Sequence, residues 1–132
     1  MAADPESVSL RVALAQLLVR QGDVAGAQAQ TDAALAGDPD NLDALLLGAH
    51  LHATAGRANQ AIAGYRRIIA ARPEAEEPSL YLSALLAERD DLEQAEGVVS
   101  ALLARTPESV LGHFYLGRVR AERRDYPGAA QA

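Results

Sequence analysis

Prolines recur every 34 residues along the whole chain, at Pro5, Pro39, Pro73 and Pro107. Each is followed by a helix-length stretch, a turn signal and, for the first three, a second helix-length stretch. Alanine keeps the same step at Ala27, Ala61, Ala95 and Ala129. A supersecondary unit repeated at a fixed period cannot bury its apolar face alone, so neighbouring units must stack. The chain is therefore expected to be a row of similar units. Function in such a row belongs to a surface, and no catalytic cluster is required.

Composition narrows this further. Hydrophobic residues make up 49% of the chain but aromatic ones only 4%, so alanine and leucine must build the core. Alanine has the best intrinsic helix propensity and lets helices approach closely. The net charge of −6 opposes nucleic acid as a partner, because affinity there comes from neutralised phosphates. Cysteine is absent, which removes disulfides and thiolate chemistry. All twelve basic residues are arginine. With the high alanine content, this points to the codon bias of a GC-rich, bacterial genome. No apolar run reaches the roughly 18–20 residues that span a bilayer, so no membrane insertion is expected. The start, Met-Ala-Ala-Asp-Pro-Glu-Ser, lacks a basic region followed by an apolar one, so no signal peptide is visible. A soluble chain of the cytoplasm or periplasm is expected, the compartment being left open.

Aligned on its prolines, the chain reads as copies over 8–41, 42–75 and 76–109, with a partial copy over 110–132. First helices are expected over Ser7–Arg20, Leu42–Ala55, Pro78–Arg89 and Ser109–Arg123. Second helices are expected over Val24–Ala36, Ala58–Ala71 and Leu92–Arg105. Gly22 and Gly56 offer the left-handed residue that ends a helix. Asp23, Asp91 and Asp125 are candidate caps for the helix that follows. Pro127 falls in the first turn of a last helix, where a missing N–H costs nothing. Leu10, Leu14, Leu17 and Leu18 recur at helical intervals, as do Leu82, Leu85 and Leu86, and no alternating strand pattern of useful length occurs. The second proline in Glu74-Ala75-Glu76-Glu77-Pro78 is expected to delay the third copy's first helix.

Small residues form two columns. Ala15, Ala49, Ser83 and Gly117 lie on the first helices, and Ala27, Ala61, Ala95 and Ala129 on the second. Such residues let two helices approach to about 8–9 Å. Leu35, Ile69 and Leu103, preceded by Ala34, Ile68 and Leu102, would fill the space between units.

The chain resembles the tetratricopeptide repeat family. The residues that carry this are Gln21-Gly22-Asp23 through Ala27 to Asp38-Pro39-Asp40-Asn41, then Gly56, Ala61, Tyr65 and Pro73, then Leu116-Gly117 and Ala129. Departures are the absence of tryptophan, His113 in its column of the fourth copy, and Asp90 in place of the third turn glycine. The resemblance covers nearly the whole chain. It implies an all-α fold, an α-solenoid of antiparallel helix pairs forming a right-handed superhelix, in a single domain over 1–132.

Catalysis and metal binding have little to stand on. His50 and His52 point about 200° apart on a helix and cannot chelate together, and His113 lies in another copy. Glu74, Glu76 and Glu77, and Asp90, Asp91 and Glu93, fall at inter-helix turns, where acids cap helices and stay solvated. Arg66-Arg67 and Arg123-Arg124 read as solvated helix faces. No glycine-rich phosphate loop occurs. No catalytic, metal or cofactor site is expected.

The resemblance also implies that the first helices line a concave groove. Carried over column by column, the family's groove positions are Val12, Gln16 and Val19; Leu46, His50 and Ala53; Leu80, Ala84 and Ala87; and Phe114, Arg118 and Ala121. One subfamily holds a peptide's C-terminal carboxylate with lysine and asparagine on this wall. This chain has no lysine, and Asn41 and Asn59 lie outside those columns. The mostly apolar wall suits an amphipathic helix or an extended apolar segment, although the same side chains would also serve to pack adjacent first helices. The expected function is that of a scaffold or adaptor for a protein or peptide partner, not an enzyme. The alternative is a regulatory or substrate-presenting module cut from a larger enzyme or envelope-assembly protein. The fourth copy keeps only Pro127–Ala132 of its second helix. The natural chain is therefore expected to continue past Ala132, or the fragment to form a homodimer through its C-terminal helix, with Leu116 uncovered.

Overall fold

The computed structural model describes residues 5–125, and these are all-α. Seven helices follow in order: α1 (Pro5–Arg20), α2 (Val24–Gly37), α3 (Leu42–Thr54), α4 (Ala58–Ala71), α5 (Glu76–Glu88), α6 (Leu92–Arg105) and α7 (Val110–Asp125). All seven start and end within two residues of the expected bounds. Pro127, Ala129 and the start of an eighth helix lie outside the described residues.

The turn inside each complete pair is built in the same way. Asp23 N–H donates to Leu18 O at 2.9 Å, Arg57 N–H to His52 O at 2.8 Å, and Asp91 N–H to Leu86 O at 2.9 Å. These six-residue closures need a left-handed residue one position earlier. Gly22 and Gly56 supply it at φ 82° and 81°. Asp90 adopts φ 61° at the third turn, so a residue with a Cβ takes on the glycine's role. Asp23 then caps α2 by accepting from Gly26 N–H at 2.9 Å, and Asp91 caps α6 by accepting from Gln94 N–H.

Pro78 does not delay α5. The helix begins at Glu76, with Ala75 as its N-cap, so the proline falls third in the first turn. The N–H groups there have no partner inside the helix, and a residue lacking one loses nothing. The start of α7 is shifted by one residue. Ser109 stands just before it and caps it, its Oγ accepting from Gly112 N–H at 2.9 Å while its hydroxyl donates to Glu76 Oε1.

The chain divides into two compact units, Met1–Gly64 and Tyr65–Ala132, with the boundary inside α4. In the first, α1 packs on α2 and on α3, and α2 on α3. Ala15 and Ala27 are fully buried. Thr31 is also fully buried and donates to Ala27 O at 2.8 Å. Gly64 meets Ala49, with 3.2 Å between the glycine's Cβ position and the alanine Cβ. In the second unit α5 packs on α6 and α7, and α6 on α7. Ser83 takes the small-residue position there and donates to Ala95 O at 3.2 Å. Gly112 fits closely, because a Cβ there would stand 2.9 Å from Leu103 Cδ2 and from Ser109 Oγ and would displace them. Gly117, by contrast, faces open space. Its expected counterpart, Ala129, lies outside the described residues.

Candidate functional site

In the first unit, Gln16 and His50 are exposed and Leu46 is half-buried, as are Val19 and Ala53. Val12 is only 6% exposed and packs with Val8, Ala34 and Ala44. In the second unit, Phe114, Arg118 and Ala121 are exposed and Ala84 and Ala87 half-buried, while Leu80 is again 6% exposed. At these two positions, on α1 and α5, the column is absorbed by packing against neighbouring helices.

The second unit brings Ala84 and Arg118 together. They line a cleft of about 220 Å³ between α5 and α7, with Ser83, Ala87, Glu88, Tyr115, Val119 and Glu122. The guanidinium of Arg118 stands 6.0 Å from the Tyr115 ring centroid, at the outer limit of a cation–π contact. Its Nη2 lies 4.0 Å from Glu122 Oε1. An exposed pair of this kind contributes only about 0.3–0.5 kcal/mol. Phe114 meets Tyr115 edge to face at 5.9 Å and is 59% exposed. With Val110 and Leu111 it forms an exposed apolar face at the start of α7. Leu116 is half-buried, so the exposed large apolar side chains of this helix are those three.

Sequence reasoning missed a larger cleft. Between α4 and α6, in the second unit, lies a space of about 470 Å³. Its walls are Arg66, Ile69 and Ala70 from α4 and Gln94, Gly97, Val98, Ala101 and Arg105 from α6, and its floor is Ser79 and Leu82 from α5. Arg66 had read only as part of a solvated pair.

The titratable side chains have structural partners. Arg57 Nε donates to His52 Nδ1 at 3.0 Å, and His113 Nε2 donates to Pro107 O at 2.7 Å. Arg123 and Arg120 approach the Glu96 carboxylate at 3.1 and 3.7 Å, tying α7 to α6. Tyr65, 2% exposed, has its hydroxyl pushed up to about 12, first by burial and then by the neighbouring Tyr81. Among the described residues no group of three or more His, Cys, Asp or Glu side chains could hold a metal ion. No helix among them is long and apolar enough to cross a membrane.

The sequence profile of the tetratricopeptide repeat matches residues 12–76 and 82–132. A search of curated proteins finds no match. Among solved structures, a tetratricopeptide repeat protein from Parabacteroides merdae is 25% identical with a TM-score of 0.76, over 92% of this chain and 48% of that one. This chain thus spans about half the length of that protein. The first tetratricopeptide domain of Spaghetti, bound to an HSP90 peptide, gives a TM-score of 0.77 at 14% identity, over 92% of this chain and 97% of that one. The O-GlcNAc transferase of Thermobaculum terrenum gives 0.75 at 24% identity, over 90% of this chain and 23% of that one. Repeats of this fold are commonly protein–protein interaction modules and generally not enzymes themselves, and some neighbours are parts of larger enzymes.

Proposed function

The chain belongs to the tetratricopeptide repeat family, and from that premise we propose that it is a non-catalytic adaptor that holds a protein or peptide partner on its first helices. The observation that carries this reading is the α5–α7 cleft, where Ala84, Arg118 and Tyr115 line one concave space beside the exposed ring of Phe114. An apolar side chain of the partner would enter between Ala84 and Ala87, and a polar group would meet Arg118. In the first unit, Gln16, Leu46 and His50 are the corresponding contacts. The repeats are taken as 8–41, 42–75, 76–109 and 110–132, within one domain.

The test is an affinity pull-down with the wild-type chain beside Phe114→Glu and Leu46→Glu. Both variants are expected to keep their helical circular dichroism spectrum and to lose the partner. If both fold and still bind, the first-helix surface is not the contact. If both unfold, these positions are core.

A second reading has a specific observation behind it. The chain matches only 48% of one structural neighbour and 23% of another, the latter a transferase. On that reading the repeats present a substrate to, or regulate, a larger enzyme or envelope-assembly protein. A catalytic domain encoded in the same reading frame would support it. The Val110, Leu111 and Phe114 face is also where a homodimer would form. Light scattering at micromolar concentration is then expected to show a dimer that Phe114→Glu dissolves.

A further inference from the structure

The cleft between α4 and α6 has a chemistry unlike the rest of this acidic chain. No carboxylate lines it, and an arginine stands toward each end. Arg66 Nη2 donates to Gln94 Oε1 at 2.7 Å, which places it beside the start of α6. Arg105 Nε donates to Pro73 O at 3.1 Å, at the other end of α6. Both acceptors are neutral oxygens, and the nearest acid along this chain of bonds is Asp91, whose Oδ2 accepts from Gln94 Nε2 at 2.7 Å outside the cleft lining. Gln94 and Arg105 are eleven residues apart on one helix, which at 1.5 Å per residue is about 16 Å.

The cleft between these ends is apolar and open on one side. Ile69, Leu82, Val98 and Ala101 supply aliphatic surface. Gly97 has nothing within 4 Å of its Cβ position, so a second backbone can come close there. Ser79 lines the floor at 1% exposure, and its Oγ has no hydrogen-bond partner among the described residues. Buried hydroxyls are normally paired, and an unpaired one costs free energy. A ligand group reaching the floor would relieve that.

We infer that this cleft is a second recognition surface, for an extended peptide segment that carries two carboxylates on either side of an aliphatic residue. An extended chain rises about 3.3 Å per residue and returns to the same face every second residue. Acids at positions i and i+4 therefore stand about 13 Å apart on one face, comparable with the roughly 16 Å of α6 at whose two ends the flexible arginines are anchored. The residue at i+2 faces the aliphatic wall. The open side and the length favour a peptide over a small molecule, which is ordinarily enclosed over most of its surface. Its walls belong to second helices and its floor to α5, and none of its lining residues is one of the first-helix groove positions.

The probe is a capped, fluorescein-labelled peptide, Glu-Thr-Leu-Thr-Glu, titrated with the full chain by fluorescence polarisation. Binding is expected to weaken at least tenfold with the Gln-Thr-Leu-Thr-Gln peptide, and by a similar factor in the Arg66→Gln, Arg105→Gln double variant. Gly97→Leu is expected to abolish it by filling the cleft. That variant keeps its fold, because the position is open and leucine is the better helix former. Ser79→Ala is expected to weaken binding without lowering the melting temperature. The inference is overturned if no binding appears up to millimolar protein, or if the glutamine peptide binds equally. It is also overturned if Gly97→Leu binds normally, if Phe114→Glu removes binding while the double arginine variant retains it, or if sebacate displaces the peptide at equal concentration.

Discussion

The two units carry the same columns with different side chains. At the step occupied by Thr31 in the first unit stand Tyr65 and Val99 in the second, and at the step of Ala34 stand Ile68 and Leu102. All six are buried at 2% exposure or less. At these steps the first unit uses alanine and threonine, and at Gly64 a Cβ would stand only 3.2 Å from the Ala49 Cβ. The second uses larger residues there, and also buries Ser79 and Ser83. Interaxial distance follows the side chains at the contact. Both clefts described above lie in the second unit. One register thus accommodates two sets of buried side chains.

Exchanging column residues between units tests this most severely. Leu102→Ala places the first unit's residue in the second unit and should destabilise the chain by about 2–5 kcal/mol, because a cavity is left. Denaturant titration reads it, and a loss under about 1 kcal/mol would mean that the second unit collapses to the tighter packing. The reverse exchange, Ala34→Leu, should cost about 1–3 kcal/mol through overpacking. An unchanged denaturation midpoint would show slack in the first unit and remove the contrast.

The turns give a smaller contrast. Gly22→Ala forces a Cβ into the left-handed region and should cost about 1–2 kcal/mol. Asp90→Gly, in the second unit, relieves that strain but loosens the unfolded chain, so it should change stability by less than about 1 kcal/mol, toward stabilisation. Thermal melts of the two variants moving by equal amounts in the same direction would contradict the equivalence of the turns.

The smallest effect is nil at neutral pH. Tyr65 is raised from its ordinary value of 10.0 to about 12 in the folded chain. The folded state therefore keeps the proton more tightly than the unfolded one. The associated stability is complete below pH 10 and is lost as pH rises toward 12. Alkaline unfolding should begin above pH 10, and Tyr65→Phe should flatten that part of the profile. A variant that loses stability as steeply as the wild type would place the alkaline transition elsewhere.

The helices were legible because a period of 34 residues repeats cap, turn and small-residue signals until they reinforce one another. What escaped has identifiable causes. Pro78 looked like a helix breaker because its effect depends on whether it falls in the first turn, a matter of two residues. Asp90 broke the glycine pattern, although the chain needs only a left-handed backbone there and aspartate tolerates one. Val12 and Leu80 share their column with Leu46 and Phe114, and nothing in a column says which members the neighbouring helices absorb. The α4–α6 cleft left no trace in the period. Its lining draws on residues at unrelated steps of three helices, the two arginines among them.

The hydrogen bond from Ser109 to Glu76 spans 33 positions, and the tie from Arg105 to Pro73 spans 32. Contacts that reach only about one repeat along the chain require only short loops to close. Loop closure is the entropic toll that slows folds rich in distant pairings. Either unit can therefore nucleate without waiting for the other, and each added helix finds a template already in place. A chain assembled this way can lengthen or shorten by whole repeats during evolution without inventing a new core.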